Sequence, residues 1–200
     1  MAIRITTCTN AEAAAFLPRL AELRIAVFRE YPYLYEGNMA YEMEYLHSFL
    51  HVRDVVLVVA LDGDRVVGVS TGMPLSGQPL LVQQPWVTAG ESISDIFYLS
   101  ESVLQKEYRG QGIGVRFFEE RENWARQLGF AHTAFCAVIR PQDDPWRPRD
   151  YVPLDAFWHH RGYRRKEGYI CQMSWQMVYE TEETEKSLQF WSKDLLLDKP

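Results

Sequence analysis

The chain has 200 residues, of which 47% are hydrophobic and 24% are charged, and its formal net charge is −6 at pH 7. This length and composition are typical of one soluble globular domain with a sizeable core. The acidic charge argues against nucleic acid as a partner, because proteins that bind phosphate backbones usually carry a basic excess. No apolar run is long enough to cross a bilayer, so we also expect no membrane partner.

The cysteines point to a cellular compartment. Cys8, Cys136 and Cys171 are widely spaced, odd in number and without a C-x-x-C pair. Such cysteines are typical of reduced thiols, and we therefore predict a cytoplasmic protein.

The first fifty residues predict one short strand and two helices. Alternation over Ile3–Thr6 indicates the strand. Apolar residues at helical spacing predict a helix from Ala11 to about Phe28, with Asn10 as its N-cap. After an aromatic loop, the same spacing predicts a second helix over residues 39–50.

The second helix carries a set of side chains that can bind metals. Glu44, His47 and His51 lie at helical spacing, and such a set could in principle hold a metal ion. We interpret the segment as an ordinary amphipathic helix with surface histidines. The sequence therefore predicts no metal site.

The middle of the chain predicts a hairpin followed by a central strand. Apolar runs at 55–61 and 65–72 flank Asp62-Gly63-Asp64, which is a hairpin signal. The irregular segment at 74–94 includes a short predicted helix at about 80–87. Residues 97–104 are apolar and rich in aromatic side chains, which predicts a strand.

This central strand leads into a glycine-rich turn, Tyr108-Arg109-Gly110-Gln111-Gly112-Ile113-Gly114, and then into a predicted helix at 115–128. Such a unit leaves several backbone N–H groups at a helix N-terminus, where the macrodipole favours negative charge. Glycine tolerates positive φ and lets an anion approach the backbone closely. The turn therefore predicts a phosphate or diphosphate site. Its spacing matches neither a P-loop nor the G-x-G-x-x-G of dinucleotide-binding folds.

The rest of the chain predicts strands and helices around one long loop. In order, we predict a strand at 132–139, a proline-rich loop at 140–153, a helix at 156–161 with Asp155 as its N-cap, a strand at 169–179, an acidic segment at 180–185 and a final amphipathic helix at 186–197. Long loops in compact domains are often functional. The final helix either packs on the domain or contacts a partner, which leaves a homodimer open.

The segment Val103-Leu104-Gln105-Lys106-Glu107-Tyr108-Arg109-Gly110-Gln111-Gly112-Ile113-Gly114 contains the pattern R-x-x-G-x-G and closely resembles the acyl-CoA-binding motif of the GNAT N-acetyltransferase superfamily. The resemblance extends more loosely from about Ile3 to about Tyr179. It implies an α/β (α+β) fold in which helices flank a mixed, mostly antiparallel central sheet. The implied domain covers residues 1–180, followed by a C-terminal segment at 181–200. The resemblance also implies direct transfer of an acetyl group from acetyl-CoA to a primary amine of a small molecule or peptide, in a ternary complex.

The same resemblance assigns residues to acetyl-CoA. In the family, backbone amides of the turn bind the diphosphate and the preceding strand pairs with the pantetheine arm. A backbone N–H of that strand polarises the thioester carbonyl, and here Leu104 is the best candidate. Arg116 could contact a phosphate or be a solvated charge at the helix end. The predicted cofactor-binding residues are Val103, Leu104, Arg109, Gly110, Gln111, Gly112, Ile113 and Gly114.

Catalytic candidates follow from the resemblance as well. Glu101 lies where many family members have a strand carboxylate that acts as general base. The tyrosine that often protonates the leaving thiolate is replaced by Trp158, whose indole is not a useful acid. Tyr151 is our candidate in its place, with Tyr163, water or the amine itself as alternatives. Cys136 could form an acyl-cysteine, but a buried structural cysteine is the favoured interpretation.

The loop between the first two helices carries the acceptor candidates Tyr31, Tyr33, Tyr35 and Glu36, because this region sets selectivity in the family. Glu36 could pair with a cation that the tyrosines cover. An aromatic cluster that fixes the loop is an equal alternative. Two further functions stay open: a non-catalytic CoA-binding sensor or scaffold, which Trp158 favours, and an acyltransferase that uses another acyl-CoA or acceptor.

Overall fold

The structure is a computed structural model, and it describes residues 3–9 and 11–197. Asn10, the predicted N-cap, lies outside the described residues. Within them the α-helices are α1 (Ala11–Ala14), α2 (Leu17–Phe28), α3 (Met39–Phe49), α4 (Leu80–Thr88), α5 (Ile113–Gln127) and α6 (Asp155–His160). The strands are β1 (Arg4–Cys8), β2 (Val56–Asp62), β3 (Arg65–Pro74), β4 (Ile96–Leu104), β5 (His132–Val138), β6 (Arg164–Trp175) and β7 (Thr184–Asp194). Over this part of the chain, no helix has the length and apolar character that a membrane crossing requires.

In the part of the chain that the structure describes, the strands form one seven-stranded sheet in the order β1-β2-β3-β4-β5-β7-β6. Neighbouring strands run antiparallel except β4 and β5, which run parallel. The sheet is therefore mixed and mostly antiparallel, as predicted. The predicted hairpin is also confirmed. Because Asp62 pairs with Arg65, its turn consists of the two residues Gly63-Asp64. The register of the two strands shifts at a bulge between Ala60 and Leu61.

Helices cover both faces of the sheet. Successive side chains of a strand point to opposite faces, so a strand with apolar residues at every position needs a packing partner on each face. On β2, Leu57 and Val59 join a core cluster with α2 and α3, whereas Val56 and Val58 join a second cluster with α5. A strand that is buried on both faces is expected to be apolar throughout, and β2 is buried along almost its whole length. The central strands are thus enclosed between two helical layers.

The predicted C-terminal helix at 186–197 is wrong. These residues belong to β7, which lies inside the sheet between β5 and β6. Leu188 and Phe190 pack on the α4 face, while Trp191 and Leu195 pack on the α5 face. Because β7 has apolar side chains on both faces, apolar and polar residues do not alternate along it as they do in a half-buried strand. The spacing of its apolar residues therefore resembles that of a helix. The C-terminal segment at 181–200 therefore contributes a strand to the main sheet.

Smaller differences concern element ends. The predicted helix at 11–28 is divided into α1 and α2, and Pro18 lies in the first turn of α2, where proline is tolerated. Asp155 is the first residue of α6 and not its N-cap; Leu154 holds that position without a side-chain bond. β6 begins at Arg164, before the predicted start, and it accommodates Gly168 at φ +82° within an irregular register.

Candidate functional site

The sheet opens between its two parallel strands. Within the described residues, β4 pairs with β5 at three positions, Ile96 with His132, Phe97 with Thr133 and Tyr98 with Ala134. Beyond them β4 stays paired with β3, and β5 stays paired with β7. The two strands therefore diverge after Tyr98, and the backbone of β4 from Leu99 onward faces an opening.

The end of β4 presents its backbone to this opening. The Gln105 N–H donates to the Val67 carbonyl at 3.0 Å, on the β3 side. Because backbone groups alternate in direction along a strand, the N–H of Leu104 points to the other side, where the sheet is open. Val103 is buried in the cluster with α2 and α3. The position of Leu104 thus suits the predicted polarising contact, which stays a prediction.

The glycine turn has the conformation that an anion site needs. Gly110 and Gly112 have φ of +75° and +81°, and Gly112 is the N-cap of α5 without any side-chain cap. Residues 109–112 are exposed, and the first turn of α5 carries no acidic residue. Uncapped N–H groups at a helix N-terminus attract anions. A Cβ on Gly114 would lie 3.7 Å from the Phe157 ring, which is an ordinary contact, so packing does not require glycine there.

The two arginines near the turn already have partners. Arg109 forms a bidentate pair with Glu30, with Nη1–Oε2 at 2.7 Å and Nη2–Oε1 at 3.0 Å. Its Nε also donates to the Leu104 carbonyl at 3.2 Å. Arg116 pairs with Glu120 at 2.7 Å on the exposed surface of α5. Either arginine would have to exchange a carboxylate for a phosphate in order to bind acetyl-CoA.

Glu101 is buried beside a guanidinium. Its carboxylate Oε2 lies 2.9 Å from Nη1 of Arg24, and Nε of Arg24 lies 2.5 Å from Oε2 of Glu42. The guanidinium also lies over the Tyr45 ring, 4.7 Å from its centroid. Burial alone would lower the pKa of Arg24, but the neighbouring Glu101, Tyr45 and Glu42 raise it overall. We call Arg24, Glu42 and Glu101 the Arg24 cluster.

Sequence reasoning missed Arg24 and Glu42, although a signal was present. Glu42 falls on the buried face of α3 with Leu46 and Phe49, at i, i+4 and i+7. A charged residue on the apolar face of a helix is rarely buried without a partner. That pattern indicates an ion pair, but it does not name the partner, because Arg24 and Glu101 come from other elements.

A second buried arginine supports β4 from the other face of the sheet. Arg121 of α5 is 1% exposed and donates to the carbonyls of Thr71 at 3.0 Å and Glu101 at 3.3 Å, and to Ser102 Oγ at 2.9 Å. Burial lowers the pKa of Arg121 to about 10, which leaves it charged at neutral pH. The register of β3 and β4 shifts between Ser70 and Gly72. Arg121 therefore ties the two strands together at the irregularity that carries Glu101.

The predicted acceptor tyrosines lie around this region, but they do not share one environment. The Tyr31 ring meets the Tyr151 ring edge-on, with centroids 4.6 Å apart. Tyr33 packs on Phe28, with centroids 4.8 Å apart. Burial and then the Glu42 carboxylate raise the pKa of Tyr35, which places this tyrosine beside the Arg24 cluster.

Glu36 stands apart from these tyrosines. Its carboxylate pairs with Arg29 at 2.7 Å, and both side chains are exposed. Its backbone N–H donates to the Gln176 carbonyl. Glu36 therefore holds the loop in this structure, and its predicted contact with an acceptor cation is untested.

Arg140 fixes the proline-rich loop at 140–153 to the loop that carries Tyr31, Tyr33 and Tyr35. Arg140 Nε donates to the Pro32 carbonyl at 2.7 Å, and Nη2 donates to the Tyr33 carbonyl at 3.2 Å. Tyr151, on the same long loop, meets Tyr31 as described. The structure therefore brings the acid candidate and an acceptor candidate together.

The other candidates are parts of the core. Trp158 packs against Phe135 and Trp191, with centroids 5.0 and 5.1 Å away. Tyr163 is fully buried and bonds Thr133 Oγ1 at 2.8 Å and Glu122 Oε1 at 3.0 Å, so it is unsuited to protonate a ligand in the opening.

The Cys136 thiol is also buried. It lies 3.0 Å from the Tyr98 hydroxyl, and the neighbouring Cys171 thiol together with burial raises the pKa of Cys136 well above its ordinary value. A thiol with a raised pKa is a poor nucleophile at neutral pH. These contacts favour the structural interpretation of Cys136.

Several solved structures are similar to this chain in fold. No curated protein sequence matches it. Among solved structures, ribosomal-protein-alanine N-acetyltransferase from Brucella melitensis is similar, with a TM-score of 0.62, 15% identity, and coverage of 96% of this chain and 99% of that one. YncA from Salmonella typhimurium, solved with its cofactor acetyl-CoA, has a TM-score of 0.60 and 11% identity, and covers 100% of this chain and 96% of its own. PaiA N-acetyltransferase from Thermoplasma acidophilum, solved with coenzyme A, has a TM-score of 0.57 and 13% identity, with coverage of 97% and 99%.

A family model settles the classification. The acetyltransferase (GNAT) family model matches residues 20–147, which include most of α2, the strands β2 to β5 with the opening between β4 and β5, the glycine turn and α5. The structural neighbours have the same fold at low identity. This chain belongs to the GNAT acetyltransferase family.

Proposed function

We propose that this protein transfers an acetyl group from acetyl-CoA to a primary amine of a small molecule or peptide. Family membership supports acetyl transfer, and the YncA and PaiA structures contain acetyl-CoA and coenzyme A. The observation that carries the proposal is the opening between β4 and β5 directly beside the uncapped N-terminus of α5. The opening suits the pantetheine arm of acetyl-CoA with its acetyl group, and the helix N-terminus suits the diphosphate.

The residues present fit acetyl-CoA. The backbone N–H groups of residues 111–114 would hold the diphosphate, and the end of β4, Val103 and Leu104, would lie along the pantetheine arm. The Leu104 N–H would polarise the thioester carbonyl, since a fixed backbone donor stabilises developing negative charge. Arg109 would contribute after exchanging Glu30 for a phosphate. Acetyl-CoA supplies the activated acetyl group as a co-substrate.

The position of the candidate base and the burial of the Cys136 thiol support direct transfer. Glu101 would accept the proton that an ammonium must lose before it can attack. The raised pKa of Cys136 argues against an acyl-cysteine intermediate. Tyr151 is proposed to protonate the leaving thiolate, because Trp158 has no acid function and Tyr163 is bonded within the core. Tyr31, Tyr33, Tyr35 and Glu36 are proposed to line the acceptor site.

A cytoplasmic location is proposed as well. The three cysteines are free thiols, which is typical of a reducing compartment.

A second candidate function is supported by one observation. The family's acid tyrosine is replaced by Trp158, which is embedded among aromatic side chains and has no proton to give at neutral pH. A CoA-binding sensor or scaffold would tolerate this substitution better than an enzyme would.

The experiment is an acceptor screen with acetyl-CoA and a panel of primary amines, amino acids and peptides, with detection of free thiol and of the acetylated product by mass spectrometry. An enzyme releases coenzyme A in proportion to product. Saturable acetyl-CoA binding by calorimetry without thiol release for any acceptor would favour the sensor and contradict the proposed activity.

A further inference from the structure

The Arg24 cluster contains three charged groups that are almost completely removed from water. The side chains of Arg24, Glu42 and Glu101 are 13%, 0% and 5% exposed. Two carboxylates share one guanidinium, so the three groups carry one negative charge in excess. An uncompensated charge in a protein interior is strongly unfavourable. With both carboxylates ionised, the cluster needs a further positive group or a proton on one carboxylate.

The surrounding titratable groups do not supply that charge to the two carboxylates. Tyr45 and Tyr35 have pKa values raised by burial and by nearby carboxylates, so both are neutral. Arg121 packs on the other face of the sheet and bonds the main-chain carbonyl of Glu101 instead of its carboxylate. The excess charge is thus located on the α2–α3 side of β4.

Each carboxylate also has one buried oxygen with no donor at hydrogen-bond distance among the described residues. Both use Oε2 to bind Arg24, whereas Oε1 of Glu42 and Oε1 of Glu101 have no such donor. The Tyr35 hydroxyl also interacts with the Glu42 carboxylate, and it brings no positive charge. A buried acceptor without a donor is costly, and an ionised one more so. Two such oxygens in one cluster indicate a ligand that donates hydrogen bonds and is positively charged.

We propose that Glu42 and Arg24 act together with Glu101 as one ammonium-binding unit; this rests on the proposed amine acceptor. Arg24 holds the two carboxylates in place, and the unpartnered Oε1 atoms bind the acceptor's ammonium. The ammonium proton then passes to a carboxylate oxygen of Glu101. The neutral nitrogen forms the carbon–nitrogen bond and the carbon–sulfur bond breaks. Tyr151 protonates the coenzyme A thiolate, and the second proton that the nitrogen loses restores the tyrosine hydroxyl. Glu42 and Arg24 are positioning residues, and Glu101 is the group that receives the proton.

The test measures cation binding apart from catalysis. Thermal unfolding is followed for the full chain without acetyl-CoA, in the presence of n-butylammonium chloride or of n-butanol, which has a similar length but no charge. We expect butylammonium, and not butanol, to raise the melting temperature of the natural protein. Glu42→Gln and Glu101→Gln should both abolish this rise. Glu44→Gln, an exposed position on the same helix, should keep it.

Kinetics with the best acceptor give a second measurement. If the residues act as a unit, Glu42→Gln should raise KM for the amine at least tenfold, and Glu42→Gln combined with Glu101→Gln should lose about as much kcat/KM as Glu101→Gln alone. Losses that multiply would show independent roles and overturn the proposal. So would a Glu42→Gln protein with an unchanged KM and an unchanged thermal shift. If Glu42→Gln does not fold, retention of the shift by Glu101→Gln overturns it in the same way.

The two proposals can fail separately. Acetylation of an amine with no effect of Glu42→Gln would leave the enzyme and remove the ammonium-binding unit. A butylammonium shift that depends on Glu42 and Glu101, in a protein that releases no thiol, would keep the unit and remove the enzyme. No butylammonium shift in the natural protein would overturn the unit directly.

Discussion

Nη1 of Arg24 lies 2.9 Å from Oε2 of Glu101, which joins the middle of α2 to the central strand inside the protein. The partners are far apart in sequence and come from elements with different periodicities. Their contact gives Glu101 a fixed orientation, and it makes Arg24 important for stability as well as for the site.

Replacing Arg24 by Met should therefore strongly destabilise the fold. Two buried carboxylates would lose their shared cation, and breaking a buried ion pair costs about 3–5 kcal/mol. Chemical denaturation would measure the free energy of unfolding. The control is Arg29→Met, because Arg29 pairs with Glu36 on the surface and exposed pairs contribute roughly 0–1 kcal/mol. Equal losses in the two variants would contradict the importance given to burial.

Gly112→Ala should weaken CoA binding beyond its effect on stability. The positive φ of Gly112 makes alanine unfavourable by about 1–2 kcal/mol, and its Cβ would lie at the proposed diphosphate site. We expect the Kd for coenzyme A to rise roughly tenfold or more by calorimetry. Gly90→Ala is a matched control, since Gly90 has φ +74° and similarly open surroundings. A similar loss of affinity in both variants would point to general destabilisation.

Glu30→Ala should release Arg109 for a phosphate. The pair is partly exposed, so its loss costs roughly 0–1 kcal/mol, and the affinity for coenzyme A should rise by up to about fivefold at low salt. Arg109→Ala should lower the affinity instead, and both effects should shrink as salt screens the charges. Titrations at two salt concentrations would measure this. If Arg109→Ala leaves the affinity unchanged at low salt, Arg109 is a structural link to Glu30 and not a phosphate ligand.

Glu101→Gln should abolish most of the acetyl transfer at neutral pH. An amide cannot accept the proton, and a positioned general base contributes about 10²–10⁴-fold to the rate. The Kd for coenzyme A should not change, because the substitution is nearly isosteric and lies on the acceptor side. The measurement is kcat for the best amine from pH 6 to 9. Full activity across that range would exclude Glu101 as the base.

Tyr151→Phe and Tyr163→Phe should have opposite effects. Tyr163 bonds Thr133 and Glu122 in the core, so its hydroxyl should stabilise the fold by about 1–2 kcal/mol and leave kcat unchanged. Tyr151 is partly exposed beside Tyr31, so its loss should lower kcat by about 10²-fold or more with little change in stability. The two variants are compared by denaturation and by kinetics. A normal kcat in Tyr151→Phe would leave water or the amine as the proton donor.

The parts of this molecule that the sequence predicted are those with local causes. The glycine turn is recognisable because positive φ at Gly110 and Gly112 is a property of single residues, and the following helix has its own periodicity. The hairpin at Gly63 and the order of elements up to α6 follow for the same reason. These features need no knowledge of distant contacts.

The parts that the sequence did not predict depend on contacts between distant segments. β7 has apolar side chains on both faces, so its character as a strand is decided by its neighbours β5 and β6. The Arg24 cluster joins α2, α3 and β4, and no local pattern links Arg24 to Glu42 or Glu101. The resemblance identifies Glu101, but its ion pair with Arg24 depends on contacts that exist only in the folded chain.

The divergence of β4 and β5 has a mechanical consequence. Among the described residues, three residue pairs hold the two parallel strands together, while β4 pairs with β3 on one side and β5 pairs with β7 on the other. The sheet thus consists of two rigid parts, β1 to β4 and β5 to β7, which are joined by the short pairing of β4 with β5. A molecule bound in the opening would contact both parts of the sheet at once. An acetyl donor bound there would therefore link the two parts and make both of them more rigid.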